Sequence, residues 1–174
     1  MGNIICVTGH RPDKLYGYNL SDKRYGELKK VFKQFLIENN CSEAISGMAL
    51  GVDTVFALAV LELKSEGFDI KLRCAIPCLN HSSNWYNKTD IDRYNSILEK
   101  ADFVDIVSKE SYKPYLMQVR NKYMVDKADI VLSVWNGTKG GTANCLDYAE
   151  IKNKPIYNIS PASLKIERIL NNEW

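Results

Sequence analysis

The sequence predicts an α/β fold, a Rossmann-like and mostly parallel sheet with helices on both faces. Three observations carry this. Short apolar runs alternate along the chain with longer segments whose apolar residues recur at helical spacing. Two glycine-rich turns, Ser46-Gly47-Met48-Ala49-Leu50-Gly51-Val52-Asp53 and Asn136-Gly137-Thr138-Lys139-Gly140-Gly141-Thr142, each follow an apolar run and open a helical segment. Such turns bring backbone N–H groups and a helix N-terminus up to a phosphate in α/β proteins. The length of 174 residues fits a single domain spanning residues 1–174.

Taken in order, Asn3–Thr8 reads as a buried first strand, followed by a loop with Pro12 and Gly17. Ser21 is placed to cap a helix running to about Asn39, with Tyr25, Leu28, Val31, Phe32, Phe35 and Leu36 on one face. Glu43–Ser46 is a short second strand. The helix from Val52 to about Glu66 is apolar almost all round and therefore buried on most sides, and Gly67 stops it. Ile70–Ile76 is the third strand, ended by Pro77. The polar stretch Cys78–Asn87 is a long loop of the kind that carries function. Thr89 caps a helix to Ala101, and Phe103–Val107 is strand four. A helix over Tyr115–Lys127, a strand over Asp129–Trp135, a helix over Thr142–Lys152 and a strand over Pro155–Ile159 follow. Pro161 is expected to start a last short helix.

Composition narrows the function classes. Apolar residues make up 45% and charged residues 25%, as in soluble globular proteins. A net charge of +2 is too small to argue for nucleic acid by itself, and specific binding to it is not expected. No apolar run approaches the ~20 residues of a membrane span, and the start Met1–Thr8 lacks the basic opening of a signal peptide. The five cysteines form no Cys-x-x-Cys pair, and with two histidines they give no compact metal set. Reduced cysteines, a cytoplasmic location, and neither membrane, metal nor cofactor are expected.

Four places carry candidate chemistry. In the first glycine turn, Gly47 and Gly51 allow tight turning and close ligand approach, and Asp53 at the helix start is placed to cap the helix or to accept from a ribose hydroxyl. In the second turn, Gly140, Gly141 and Thr142 at a helix start, with Lys139 adjacent, suit phosphate. The spacing is not that of a Walker motif. Gly9, His10 and Arg11 follow the first strand, at the strand end where ligands collect in such sheets. Arg120 and Asn121 reach either the same crevice or solvent, and Trp85 either stacks on a base or packs its loop onto the body.

The ordered set Thr8-Gly9-His10-Arg11-Pro12, Ser46-Gly47…Gly51-Val52-Asp53, the Trp85 loop, Arg120-Asn121 and Gly140-Gly141-Thr142 resembles the SLOG superfamily, most nearly its YpsA-like bacterial and phage branch. The resemblance covers nearly the whole chain. The first glycine turn and Arg120-Asn121 look like motifs of DprA, which binds single-stranded DNA. Arg120 and Gly140-Gly141-Thr142 look like those of the LOG phosphoribohydrolases, which cleave nucleoside monophosphates between base and ribose 5-phosphate using an Arg and a Glu. That Glu follows the glycine turn within the first helical turn, whereas here Ala143, Asn144, Cys145 and Leu146 follow Thr142. Glycosidic cleavage needs a fixed carboxylate, and Asp53 is the one candidate to replace it.

The resemblance thus implies a protein that binds a nucleotide-type small molecule, ADP-ribose or NAD-like or a cyclic nucleotide signal. Its role would be that of a sensor, a regulator, or in phage defence signalling a sequestering protein. The alternatives it implies are a nucleotide N-glycosidic hydrolase and a cell-division regulator acting through a protein partner. A homo-oligomer is compatible with each.

Overall fold

The computed structural model describes residues 2–169. Its strands are β1 (Asn3–Gly9), β2 (Cys41–Ser46), β3 (Lys71–Ile76), β4 (Phe103–Ile106), β5 (Ile130–Val134), β6 (Ile156–Ile159) and β7 (Ile166–Ile169). Its helices are α1 (Lys23–Glu38), α2 (Val52–Ser65), α3 (Lys88–Lys100), α4 (Tyr115–Lys127) and α5 (Gly141–Ile151), with a 3-10 turn at Pro12–Lys14. All strands join one sheet in the order β4-β3-β2-β1-β5-β6-β7. The pairings are parallel except the last, β6 with β7.

Alternation along the strands splits the core into two layers. Ile5 and Val7 of β1, Leu72 of β3 and Leu132 of β5 face a layer closed by α1 and α2, where Phe32 and Phe56 meet edge to face at 5.3 Å. Cys6, Ile45, Ala75 and Val131 face the other way, onto Met124 and Val125 of α4 and Cys145 and Leu146 of α5. The chain runs outward from β1 to β4, then α4 carries it back across the sheet to β5 on the other side of β1. The strand order therefore reverses between β1 and β5, where ligands bind in sheets of this kind.

Most predicted elements form within a residue or two of their expected ends. Three details differ. Asp22, not Ser21, caps α1, because its carboxylate accepts from the Arg24 N–H at 3.0 Å and also grips the Arg24 side chain. Asn87, not Thr89, caps α3 by accepting from the Thr89 N–H at 2.8 Å. The expected helix after Pro161 is instead a tight turn followed by β7. The Leu164 N–H donates to the Ser160 carbonyl at 2.8 Å, and the Ser160 N–H to that of Lys165 at 3.0 Å. The chain thus folds back to pair with the otherwise open edge of β6, which outweighs local preference for a very short helix.

Candidate functional site

A crevice of about 300 Å³ opens where the strand order reverses. The end of β1 contributes Gly9 to it, and the loop after β1 contributes His10, Arg11 and Lys14. The turn into α2 contributes Ala49 and Asp53, α4 contributes Met117, Arg120 and Asn121, and the start of α5 contributes Gly141 and Thr142. Three cations, Arg11, Lys14 and Arg120, face two carboxylates, Asp13 and Asp53.

The two glycine turns differ physically. The first is closed on itself. Ser46 Oγ donates to the Asp53 carbonyl at 2.7 Å and accepts from the Met48 N–H at 3.2 Å. The Ala49 N–H donates to Asp53 Oδ2 at 3.2 Å, and the Val52 N–H to the His10 carbonyl at 3.3 Å. Gly47 and Gly51 were expected to admit a ligand, but protein fills their space. A side chain at Gly47 would begin 2.6 Å from the Arg120 guanidinium, and one at Gly51 would begin 2.6 Å from the His10 carbonyl oxygen. Gly9 is packed likewise, against Val52.

The second turn is open. Gly140 precedes α5 without any side-chain cap, and Gly141 has nothing near the place of a side chain. No described residue accepts from the N–H groups of Gly141, Thr142 or Ala143. Lys14 Nζ comes within 3.9 Å of where a Gly140 side chain would begin. Bare N–H groups, the positive end of the helix dipole and a nearby ammonium are features that favour negative charge. Lys139, expected to serve this turn, is exposed and lies outside the crevice lining.

Arg120 is not a solvated helix residue. It is 3% exposed, donates through Nη1 to the Gly47 carbonyl and through Nε to Asn121 Oδ1 at 3.0 Å, and presents Nη2 without a described acceptor. Burial lowers its pKa, which the charge of Asp53 opposes. Burial likewise raises the Asp53 carboxyl, against the pull of Arg120, the Ala49 N–H and Arg11. Each charge thus favours the ionised form of the other at the crevice floor.

His10 ties the loops after β1 and β5 together. The Asn136 N–H donates to its Nε2 at 3.1 Å, and Asn136 Oδ1, which accepts from the Thr138 N–H and hydroxyl, lies 2.9 Å from the same nitrogen. Burial holds the imidazole below its ordinary pKa. Trp85 stands apart from the crevice, ringed edge-on by His81 and Tyr94 at 5.5 and 5.1 Å. Lys14, Ala49 and Met117 were not foreseen. Lys14 lies one 3-10 turn beyond Arg11, and Met117 lies three residues before Arg120 on the same helix face, so both were within reach of spacing arguments. Among the described residues, no group of three or more His, Cys, Asp or Glu could hold a metal ion, and no helix is long and apolar enough to cross a membrane.

An α/β sheet of this order, with a crevice at its reversal and an uncapped helix start facing it, defines a Rossmann-like architecture. A family model, YpsA, described as the YspA SLOG family, matches residues 5–164, and the chain belongs to that family. A UPF0398 protein of Halalkalibacterium halodurans is 30% identical over 155 residues, covering 87% of this chain and 80% of the relative. A UPF0398 protein of Bacillus cereus strain G9842 is 30% identical over 143 residues, covering 80% and 77%.

Among solved structures the fold is similar to DNA processing protein A, DprA. The Streptococcus pneumoniae protein superposes with a TM-score of 0.61 at 16% identity, over 90% of this chain and 50% of that one. The Helicobacter pylori protein, described for its single-stranded DNA binding mode, gives 0.60 at 15%, over 90% and 64%. This chain therefore spans half to two thirds of those proteins. The likeness corrects the expectation drawn from net charge. A relative in fold binds single-stranded DNA, so a modest charge of +2 does not set nucleic acid aside. A few cations gathered at one crevice matter more than the total over the surface.

Proposed function

We propose that the crevice between β1 and β5 binds a nucleotide or nucleotide-derived ligand, with its phosphate on the N-terminus of α5. One observation carries this reading: the N–H groups of Gly141, Thr142 and Ala143 are without acceptors among the described residues, beside Lys14 and at a crevice that also holds Arg11 and Arg120. An anion there gains hydrogen bonds, dipole and Coulomb attraction together. The role that fits is a sensor, regulator or sequestering protein for a nucleotide signal of the ADP-ribose, NAD-like or cyclic type. A second reading, single-stranded DNA threaded by its phosphates through the same crevice, is supported by the DprA of Helicobacter pylori.

Calorimetric titration with ribose 5-phosphate, AMP, CMP, GMP, UMP and NAD tests the proposal, with a thymidine oligonucleotide as the arm for the second reading. Gly141→Asp puts a carboxylate where the phosphate would sit. Two like charges about 4 Å apart near a surface repel by roughly 4 kcal/mol, so affinity for the binding probe should fall at least about a hundredfold. Unchanged affinity would overturn the proposed phosphate position.

A further inference from the structure

A second cavity of about 210 Å³ adjoins the crevice, and Arg11 and Met117 line both. Its remaining walls are His81, Asn84, Trp85 and Tyr112. None of these belongs to the glycine turns or to the set that faces the proposed phosphate position.

Three features of this chamber are specific. The Trp85 indole is held in place edge-on by His81 and Tyr94, so it offers a prepared aromatic surface. His81 is 6% exposed, with Nδ1 3.3 Å from the Tyr94 hydroxyl. That hydrogen bond runs in either direction according to the ring tautomer, so Nε2 offers the cavity a proton or a lone pair. No described residue accepts from Nε2. Burial, with the charges of Arg120 and Arg11, holds the His81 pKa down to about 3, so the ring stays neutral and keeps a single N–H donor. Asn84 is exposed, and its side-chain amide has no partner among the described residues, so it can present both a donor and an acceptor at the rim.

An aromatic surface packed on two sides, one imidazole nitrogen open to the cavity and one amide at the edge match a flat heteroaromatic ring with polar atoms on its rim. The geometry points to this chamber as a nucleobase subsite, in which the base of a nucleotide packs against Trp85 and is read by His81 Nε2 and Asn84 while its phosphate lies on α5. This rests on the phosphate position proposed above and adds the part of the ligand that would distinguish a nucleotide from a sugar phosphate. Arg11, shared by both cavities, stands where base-bearing sugar and phosphate meet. A free nucleotide and the nucleotides of a single strand share this chemistry.

The experiment compares ribose 5-phosphate with AMP, CMP, GMP and UMP by calorimetry, and adds a thymidine decamer to separate the two sources. At least one base-bearing probe should bind the wild-type protein at least tenfold tighter than ribose 5-phosphate. Trp85→Leu should remove that excess, about 5- to 150-fold for one base–aromatic stack, and leave ribose 5-phosphate unchanged. Because Trp85 also packs against His81 and Tyr94, Asn84→Ala serves as a second variant on an exposed side chain. It should change the ranking of the four bases without changing ribose 5-phosphate. A decamer that alone shows the Trp85-dependent gain identifies the single strand as the source.

Equal binding of ribose 5-phosphate and every base-bearing probe overturns the base subsite and leaves the phosphate position standing. So does an advantage of the base-bearing probes that survives both variants. Failure of every probe to bind overturns the phosphate position and the base subsite together.

Discussion

Replacing Gly51 by Ala separates the two glycine turns most sharply. Gly51 has φ +94° and ψ −125°, a region that L side chains rarely adopt, and an added Cβ would lie 2.6 Å from the His10 carbonyl oxygen and 3.1 Å from Arg11 Cα. The obstacle is backbone, so no rotamer change relieves it. A strained residue of this kind costs about 1–3 kcal/mol and overpacking a further 1–3, so we expect a loss of about 2–6 kcal/mol. For a chain of this size that lowers Tm by at least about 4 °C. Gly141→Ala is the control, since nothing lies within 4 Å of its added Cβ. It should change stability by no more than about 0.5 kcal/mol, with better helix propensity in its favour. Thermal and urea unfolding of both variants measure this. A Gly51→Ala protein as stable as wild type, or a Gly141→Ala protein equally damaged, would refute the distinction between a packed first turn and an open second one.

Other outcomes follow from the same geometry. Arg120→Met removes the donors to the Gly47 carbonyl and Asn121 Oδ1, together with a charge that favours ionised Asp53, and should destabilise by about 1–3 kcal/mol; Asp53→Asn in that background should restore part of the loss, and strict additivity in urea unfolding would contradict the coupling. His81 is neutral when folded down to about pH 3 but takes a proton in the unfolded chain below about pH 6.5. Its contribution is therefore full above about 6.5 and is lost as pH falls toward 3, at roughly 1.4 kcal/mol per pH unit in that window; His81→Phe should flatten the slope, and an unchanged slope would count against it. Incubation with AMP, CMP, GMP, UMP or NAD should release no free base, because the first turn of α5 carries no acidic residue. Base release that vanishes in Asp53→Asn but persists in Asp147→Asn would instead make Asp53 a relocated catalytic carboxylate.

The elements were legible because each obeys a local rule: apolar periodicity marks α1, a nearly all-round apolar run marks α2, Gly51 and Gly67 bracket α2, and Pro77 ends β3. The gathering of Gly9–Arg11, Asp53 and Gly141–Thr142 at one crevice was legible too, since every parallel strand delivers its following loop to the same edge. What each glycine does was not. Gly47 and Gly140 look alike in sequence, and only the path of Arg120 from α4 decides that the first is filled by protein while the second is open. β7 was missed because its reason lies in the unpaired edge of β6, which no local pattern around Pro161 records. His81 escaped notice because an isolated histidine in a polar loop carries no signal until Tyr94 and Trp85 are seen around it.

The phosphate position on α5 is tested most directly by following the backbone amides of the 15N-labelled protein during titration with ribose 5-phosphate and with AMP. The bare N–H groups of Gly141, Thr142 and Ala143 should move first and furthest, because they alone gain a new acceptor. The amides of Met48 and Ala49, already bonded to Ser46 Oγ and Asp53 Oδ2, should respond weakly. A saturable response centred on Met48 and Ala49, with the start of α5 unmoved, would contradict the account.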